Sequence, residues 1–374
     1  MRERIHYIDW VESLAIALVV CCHYVGDAGE SVASNVVIQF TTTAAVPLFF
    51  MANGALLLPR QMILQKHLHK MLLLFVNVTV WKVLLLLLTL VRHTDYLSML
   101  TAGELARYIC GANMQSFYIP TEHFWYMYDL IGLYALFPLI KIAYDKSREV
   151  IKFITAFLFI MVSVFTEYDC IAKICFEPLF GPNTVYLGTL RSYVFPFAAG
   201  GSCLLFFLMG AFVGGHADEL RARRRTLLAG ACVAFALLLI EKYVQQCGLQ
   251  GPWTRLQDDY QRVGTLVMSC CIFALFATGD YTHRLRANRF VQIISVRTMN
   301  IYVVHMALCM VINNHITALI PFKNIGLHVF KSLVVVLLSL AITEPLTYIP
   351  AISRMLGLKP DRFNRRAFKP VVIK

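Results

Sequence analysis

The chain has 374 residues, 58% of them hydrophobic and only 15% charged, with a mean hydropathy of +0.64. Soluble domains carry about 25% charged residues, so this composition excludes an ordinary soluble fold and describes a polytopic membrane protein. The net charge of +12 excludes nothing by itself, but the basic residues sit in short segments between apolar runs. That is the positive-inside pattern rather than a nucleic-acid surface.

An all-α membrane bundle of about ten transmembrane helices is expected, each of a length and uniform apolarity that suits a bilayer. In chain order the predicted spans are Ile8–Val25, Val36–Leu58, Met71–Val91, Phe124–Ala143 and Val150–Phe165. Tyr193–Gly214, Thr226–Tyr243, Val263–Thr278, Thr298–Asn313 and Val329–Ile349 follow. Pro47, Pro138, Pro196 and Pro345 fall inside or near span ends, where neighbouring helices satisfy the released carbonyls. Trp10, Trp125, Tyr126, Tyr193 and Tyr348 crowd the ends as an aromatic belt. The first span lacks a small-residue cleavage site, so no signal peptide is expected.

Most of the 34 Lys and Arg fall in alternate loops and at both ends, which predicts cytoplasmic termini. No stretch is long enough for a separate soluble domain, so a single membrane domain is expected over 1–374, with a basic cytoplasmic tail from about residue 358. No internal repeat is visible, which disfavours common transporter folds. Of the 11 cysteines, seven lie in spans as small apolar packing residues. Cys170 and Cys175 fall in an outer loop, where a bridge between them is one of two expectations and free thiols the other. No Cys/His spacing suggests a metal.

Polar residues at membrane depth are costly and need a reason. They are Glu12, His23, Asn53, Lys82, Asp129, Asn300, His305 and Glu344. Lys82 and Asp129 are able to pair with each other; Glu12 and Glu344 lie near inner ends, within reach of arginines. A neutral imidazole in a low-dielectric bundle is a competent general base for a hydroxyl, and His23 and His305 are the candidates. A proton relay in a transporter or exporter would use a buried histidine equally well. No GxSxG or Ser/His/Asp ordering offers a serine nucleophile.

The order of these residues resembles the membrane-bound acyltransferase-3 family, whose members O-acylate cell-envelope glycans. IleAspTrpValGluSerLeuAla, running on to His23, is similar to the family's opening helix. PheProLeuIle at 137–140 closes a segment, begun by HisPheTrpTyr at 123–126, that resembles another family motif. Residues 46–58, with PhePhe and then AsnGly at 53–54, resemble the second-helix motif, and AsnIleTyrValValHis at 300–305 the Ile-Tyr-x-x-His signature.

The resemblance implies transfer of an acyl group, most readily acetyl, from acetyl-CoA to a hydroxyl of an envelope polysaccharide, lipopolysaccharide or lipid-linked sugar. It also implies a bacterial inner-membrane location. His23 would serve as general base or acyl relay, His305 would line the same site, and His123 and Trp125 would shape its outer mouth. Asn53 or Asn300 would donate to the oxyanion.

In one respect the chain departs from the family. Glu12 stands where the family usually places Arg or Lys; if that basic residue contacts the donor's phosphates, Glu12 cannot. Arg60, Lys66, Lys70, or the cluster from Arg284 to Arg289 would have to supply that charge. This departure leaves a catalytically inactive family member as one alternative.

Overall fold

The computed structural model describes residues 4–23, 32–111, 114, 116–194, 201–249, 259–281, 285–319 and 324–358. Pro196, Arg284 and the basic tail from Lys359 lie outside them. Among the described residues every regular element is helical.

The principal helices are α1 (His6–Cys22), α2 (Val32–Thr43), α3 (Ala45–Leu57), α4 (Leu64–Arg92) and α5 (Ala102–Ile109). They continue with α6 (Trp125–Lys146), α7 (Arg148–Leu158), α8 (Gly201–Gly215), α9 (Arg224–Leu249) and α10 (Val263–Ala277). The last four are α11 (Leu285–Val296), α12 (Thr298–Leu319), α13 (Ile325–Thr347) and α14 (Pro350–Leu356).

Local chemistry sets several boundaries. Thr101 caps α5 by accepting from the Glu104 amide at 3.2 Å, in a Thr-x-x-Glu capping sequence. Ser147 does the same for α7 through the Val150 amide at 3.3 Å. Gly357 ends α14 at a φ of +67°, the left-handed cap that glycine adopts without a Cβ penalty. Pro138 and Pro345 are tolerated inside α6 and α13, as expected where neighbouring helices compensate.

Among the described residues, five helices are long and apolar enough to cross a bilayer: Val37–Leu57, Leu64–Arg92, Glu122–Lys146, Arg148–Ile171 and Ile325–Thr347. A sixth results if Asn288–Val296 and Thr298–Ile312, separated by a break at Arg297, form one broken span. These match six of the expected spans. The other four are less complete. Helix α1 has 17 described residues, and residues 24 and 25 of that expected span lie outside the description. Helices α8 and α10 are apolar but 15 residues long, about 22 Å against a hydrocarbon core of about 30 Å. Helix α9 is long enough but carries Arg224 and Arg225 at its start and Glu241 and Lys242 further on. Exposed leucines and valines on α4 (Leu72, Leu73, Val76, Leu87, Leu88, Val91) form the surface a lipid-facing helix presents.

The chain folds as two compact units. The first comprises Met1–Gln61, Phe137–Ser295 and Phe322–Val329; the second comprises Met62–Leu136, Val296–Pro321 and Phe330–Lys374. In the first, α3 crosses α8 at very close range. A Cβ on Gly54 would run into the backbone of Phe207, and one on Gly210 into the backbone of Met51. Small residues at such a crossing let apolar helices gain dispersion contact where lipid supplies no hydrophobic drive. Helix α1 packs beside α11, with the Trp10 indole donating to Asn288 Oδ1 at 2.9 Å and Ser13 Oγ donating to the Val291 carbonyl at 2.8 Å.

The first unit also decides between the two expectations for Cys170 and Cys175. No disulfide joins Cys170 to Cys175. They sit five residues apart on one helical course that passes from α- into π-helix between them, and Cys170 Sγ instead accepts from Arg262 Nη2 at 3.0 Å.

The second unit is tied by long-range polar contacts. The Trp81 indole donates to the Leu356 carbonyl at 2.8 Å, and His67 Nε2 lies 2.8 Å from the Tyr134 carbonyl. Tyr108 OH donates to the Lys82 carbonyl at 2.9 Å, and burial pushes this phenol well above its ordinary pKa. The Lys82 ammonium is buried over the Tyr108 ring, 4.2 Å from its centroid. An aromatic face at that range offsets part of the cost of a charge at this depth.

Candidate functional site

The second unit brings together two of the expected site histidines. His305 lies on α12, fully buried, and His123 lies just before α6, also buried. Their rings meet edge to face with centroids 4.9 Å apart. Tyr302, one turn before His305, packs its ring 5.3 Å from His123 and 5.6 Å from His305. Its hydroxyl donates to the His123 backbone carbonyl. Phe124 and Tyr126 close the cluster against Tyr302, at 6.3 and 5.7 Å.

The helix supplies the chemistry of His305. Its Nδ1 lies 2.6 Å from the Tyr302 carbonyl three residues earlier. A carbonyl only accepts, so a neutral imidazole here carries its proton on Nδ1 and its lone pair on Nε2. Nε2 is thereby the proton-accepting atom. Asn300, on the same helix, is also fully buried. Trp125 is exposed by 40%, at the first residue of α6.

The first unit holds His23 and Asn53. His23 is half-buried at the C-terminal end of α1, with its backbone N–H 3.3 Å from the Val20 carbonyl. Asn53, half-buried on α3, donates through Nδ2 to the Phe49 carbonyl at 2.9 Å.

Glu12, the departure from the family pattern, has a defined partner. Its Oε2 lies 2.6 Å from Ser295 Oγ on α11, and Asp9 Oδ1 approaches the same hydroxyl at 3.0 Å. Asp9 also receives Arg4 through two hydrogen bonds of 2.7 and 2.8 Å. A hydroxyl has one proton to give, so Ser295 serves one carboxylate at a time. The opening helix is thus clasped to α11 by acidic side chains.

The expected phosphate-binding cations are scattered in character. Arg60, Lys66 and Arg289 are exposed, and Arg284 lies outside the described residues. Lys70 donates to the Tyr134 hydroxyl at 3.2 Å and lies 5.0 Å from the centre of that ring.

Sequence reasoning did not single out four of the polar groups that organise these units. Tyr302 lies inside the Ile-Tyr-x-x-His motif, which was the available signal. Arg297 binds Glu344 in a two-pronged ion pair, with Nε to Oε2 at 2.6 Å and Nη2 to Oε1 at 2.8 Å. Ser295 and His67 carry no local signature, since their partners lie far away in sequence.

Neither the curated proteins nor the solved structures yield a match to this chain. The model of the acyltransferase-3 family, described as an acyltransferase domain, matches residues 5–344. That interval contains α1 through nearly all of α13, and with them the histidine cluster, His23 and the Glu12 clasp. The chain therefore belongs to the acyltransferase-3 family and is a membrane acyltransferase.

Proposed function

We propose that this protein moves an acyl group, most readily acetyl, from acyl-CoA to a hydroxyl of an envelope polysaccharide, lipopolysaccharide or lipid-linked sugar. Its place is the bacterial inner membrane, which it crosses about ten times with both ends in the cytoplasm. The family membership supports acyl transfer in general. The observation that carries the chemistry is the approach of His305 Nδ1 to within 2.6 Å of the Tyr302 carbonyl.

In this reading the acceptor hydroxyl gives its proton to His305 Nε2 as its oxygen attacks the thioester carbonyl. A C–O bond forms, the C–S bond breaks, and the departing CoA thiolate takes the proton back from the imidazole. His123 holds the His305 ring in place from its edge. Asn300 donates to the developing oxyanion, where a fixed donor is worth most. His23 and Asn53 enter as site residues on the family motifs in which they stand, and Trp125 as part of the acceptor's mouth. Arg60, Lys66, Lys70, Arg284 and Arg289 are the cations offered to the donor's phosphates.

The test is transfer of labelled acetyl groups from acetyl-CoA to envelope glycans in membranes containing the wild-type protein, His305→Ala or His23→Ala. Each substitution is expected to lower transfer by about 10²–10⁴-fold at unchanged protein level. Full transfer by His305→Ala would remove the assignment of the base. A wild-type protein that labels nothing, yet dissipates a proton gradient, would favour a carrier instead.

A further inference from the structure

A cavity of about 840 Å³ opens in the first unit, between α7, α8 and α10. It is separate from every residue given a role above. Two helices line it with the same stripe spacing. On the α7 side these are Arg148, Lys152, Thr155 and Phe159; on the α8 side they are Leu205, Met209, Phe212 and His216. The four-then-three-then-four spacing keeps each set on one helix face.

From Arg148 to Phe159 the groove follows the helix for roughly 16 Å, about the depth of one leaflet of a 30 Å hydrocarbon core. Its size lies within the roughly 300–1,000 Å³ of small-molecule sites.

The charge along the groove is one-sided. Arg148 opens α7 with its guanidinium 4.1 Å from the centre of the Tyr144 ring, which also lines the cavity. Lys152 follows one turn later, exposed and 3.3 Å from Glu149. The other acid nearby, Asp145, is paired with Lys141. Beyond Lys152 the α7 wall is Thr155, Ala156 and Phe159, with no charge. Phe159 and Phe212 expose large apolar areas into a space that protein does not fill.

We propose that this groove binds one membrane lipid with an anionic phosphate headgroup. The tail lies along α7 and α8, and the phosphate sits against Arg148 and Lys152. A zwitterionic lipid fills the same apolar volume, but its ammonium meets two cations. The anionic lipid is selected by charge and retained by its chain. The site stands apart from acyl transfer and holds whether or not that reading does.

The full chain in mild detergent, equilibrated with mixed vesicles of dioleoyl phosphatidylglycerol and dioleoyl phosphatidylcholine, provides the test by native mass spectrometry. The wild type should retain phosphatidylglycerol over phosphatidylcholine by roughly 10- to 30-fold, the effect of two surface cations on one anion. The double substitution R148Q/K152Q lies at an exposed helix start and should bring the two lipids to near parity. Ala156→Trp fills the groove without touching the charges and should lose both. Equal retention of the two lipids by the wild type would overturn the proposal, as would unchanged retention by Ala156→Trp. Displacement of phosphatidylglycerol by palmitoyl-CoA at equal concentration would also overturn it, by assigning the groove to an acyl donor.

Discussion

Tyr302 touches both His123 and His305 by different means: its hydroxyl donates to the backbone of His123, and its own carbonyl engages the ring of His305. One residue therefore fixes the position of the first histidine and the tautomer of the second. Only the hydroxyl contact is removable by mutation. Tyr302→Phe should cost roughly 1 kcal/mol of stability, the usual net worth of one hydrogen bond, while transfer stays within about tenfold of wild type. Thermal unfolding in detergent and labelled acetyl transfer measure the two quantities. A loss of transfer as deep as that of His305→Ala would mean that the phenol itself takes part in the chemistry.

Glu12 and Ser295 should behave as a coupled pair. Glu12→Ala and Ser295→Ala each remove one side of a charge-assisted hydrogen bond, worth about 1.5–3 kcal/mol. The double variant should therefore be less damaged than the sum of the two, with a coupling of roughly 0.5–3 kcal/mol. Additive losses in a double-mutant cycle on unfolding would show that the clasp contributes nothing. Glu12→Arg should not tighten CoA binding, because the residues around position 12 are Ser295 and the Asp9–Arg4 pair.

The Arg297–Glu344 pair lies in the second unit, with the arginine side chain only 7% exposed. Removing one member strands a charge. Arg297→Ala should destabilise by about 3–5 kcal/mol and lower the amount of protein recovered from membranes. Arg297→Met with Glu344→Leu removes both charges and should restore most of that loss. If the double variant were no better than the single one, the pair would have a role beyond mutual neutralisation.

Two glycines should tolerate nothing larger. Gly54→Ala and Gly210→Ala each place a methyl group into the backbone of the facing helix, where no flexible side chain can give way. Both should lower the unfolding midpoint, by the roughly 1–3 kcal/mol typical of overpacking. Gly132, inside α6 with nothing within 4 Å of its would-be Cβ, is the control. Gly132→Ala should be neutral or stabilising by up to about 1 kcal/mol. Equal damage at all three positions would deny that the α3–α8 crossing is specially tight.

What the chain reveals in one dimension follows from range. The apolar lengths of Leu64–Arg92 and Ile325–Thr347 are properties of contiguous residues, and both spans were legible. His123 and His305 stood out as polar residues of local motifs, one opening the stretch that runs into α6 and the other ending a stretch within α12. The contact between them joins residues far apart in sequence, and no periodicity encodes it. The same holds for Glu12. Its sequence marks only a misfit to the family pattern, while its partner Ser295 lies 283 residues away. The Cys170–Cys175 alternatives could not be decided from loop assignment, because that stretch continues as helix and Cys170 engages the distant Arg262. The groove along α7 was invisible for a related reason. Arg148 and Lys152 read as ordinary inner-loop cations until α8 supplies the opposite wall.

Helix α4 runs for 29 residues, about 44 Å, and so outreaches the oily slab by some 14 Å. The surplus falls at its leading turns, where Lys66, His67 and Lys70 stand. Those turns must rise among the polar headgroups or force the rod to lean. A lysine mounted on such a stalk meets water-borne anions at the surface while remaining rigidly joined to everything deeper in the same rod.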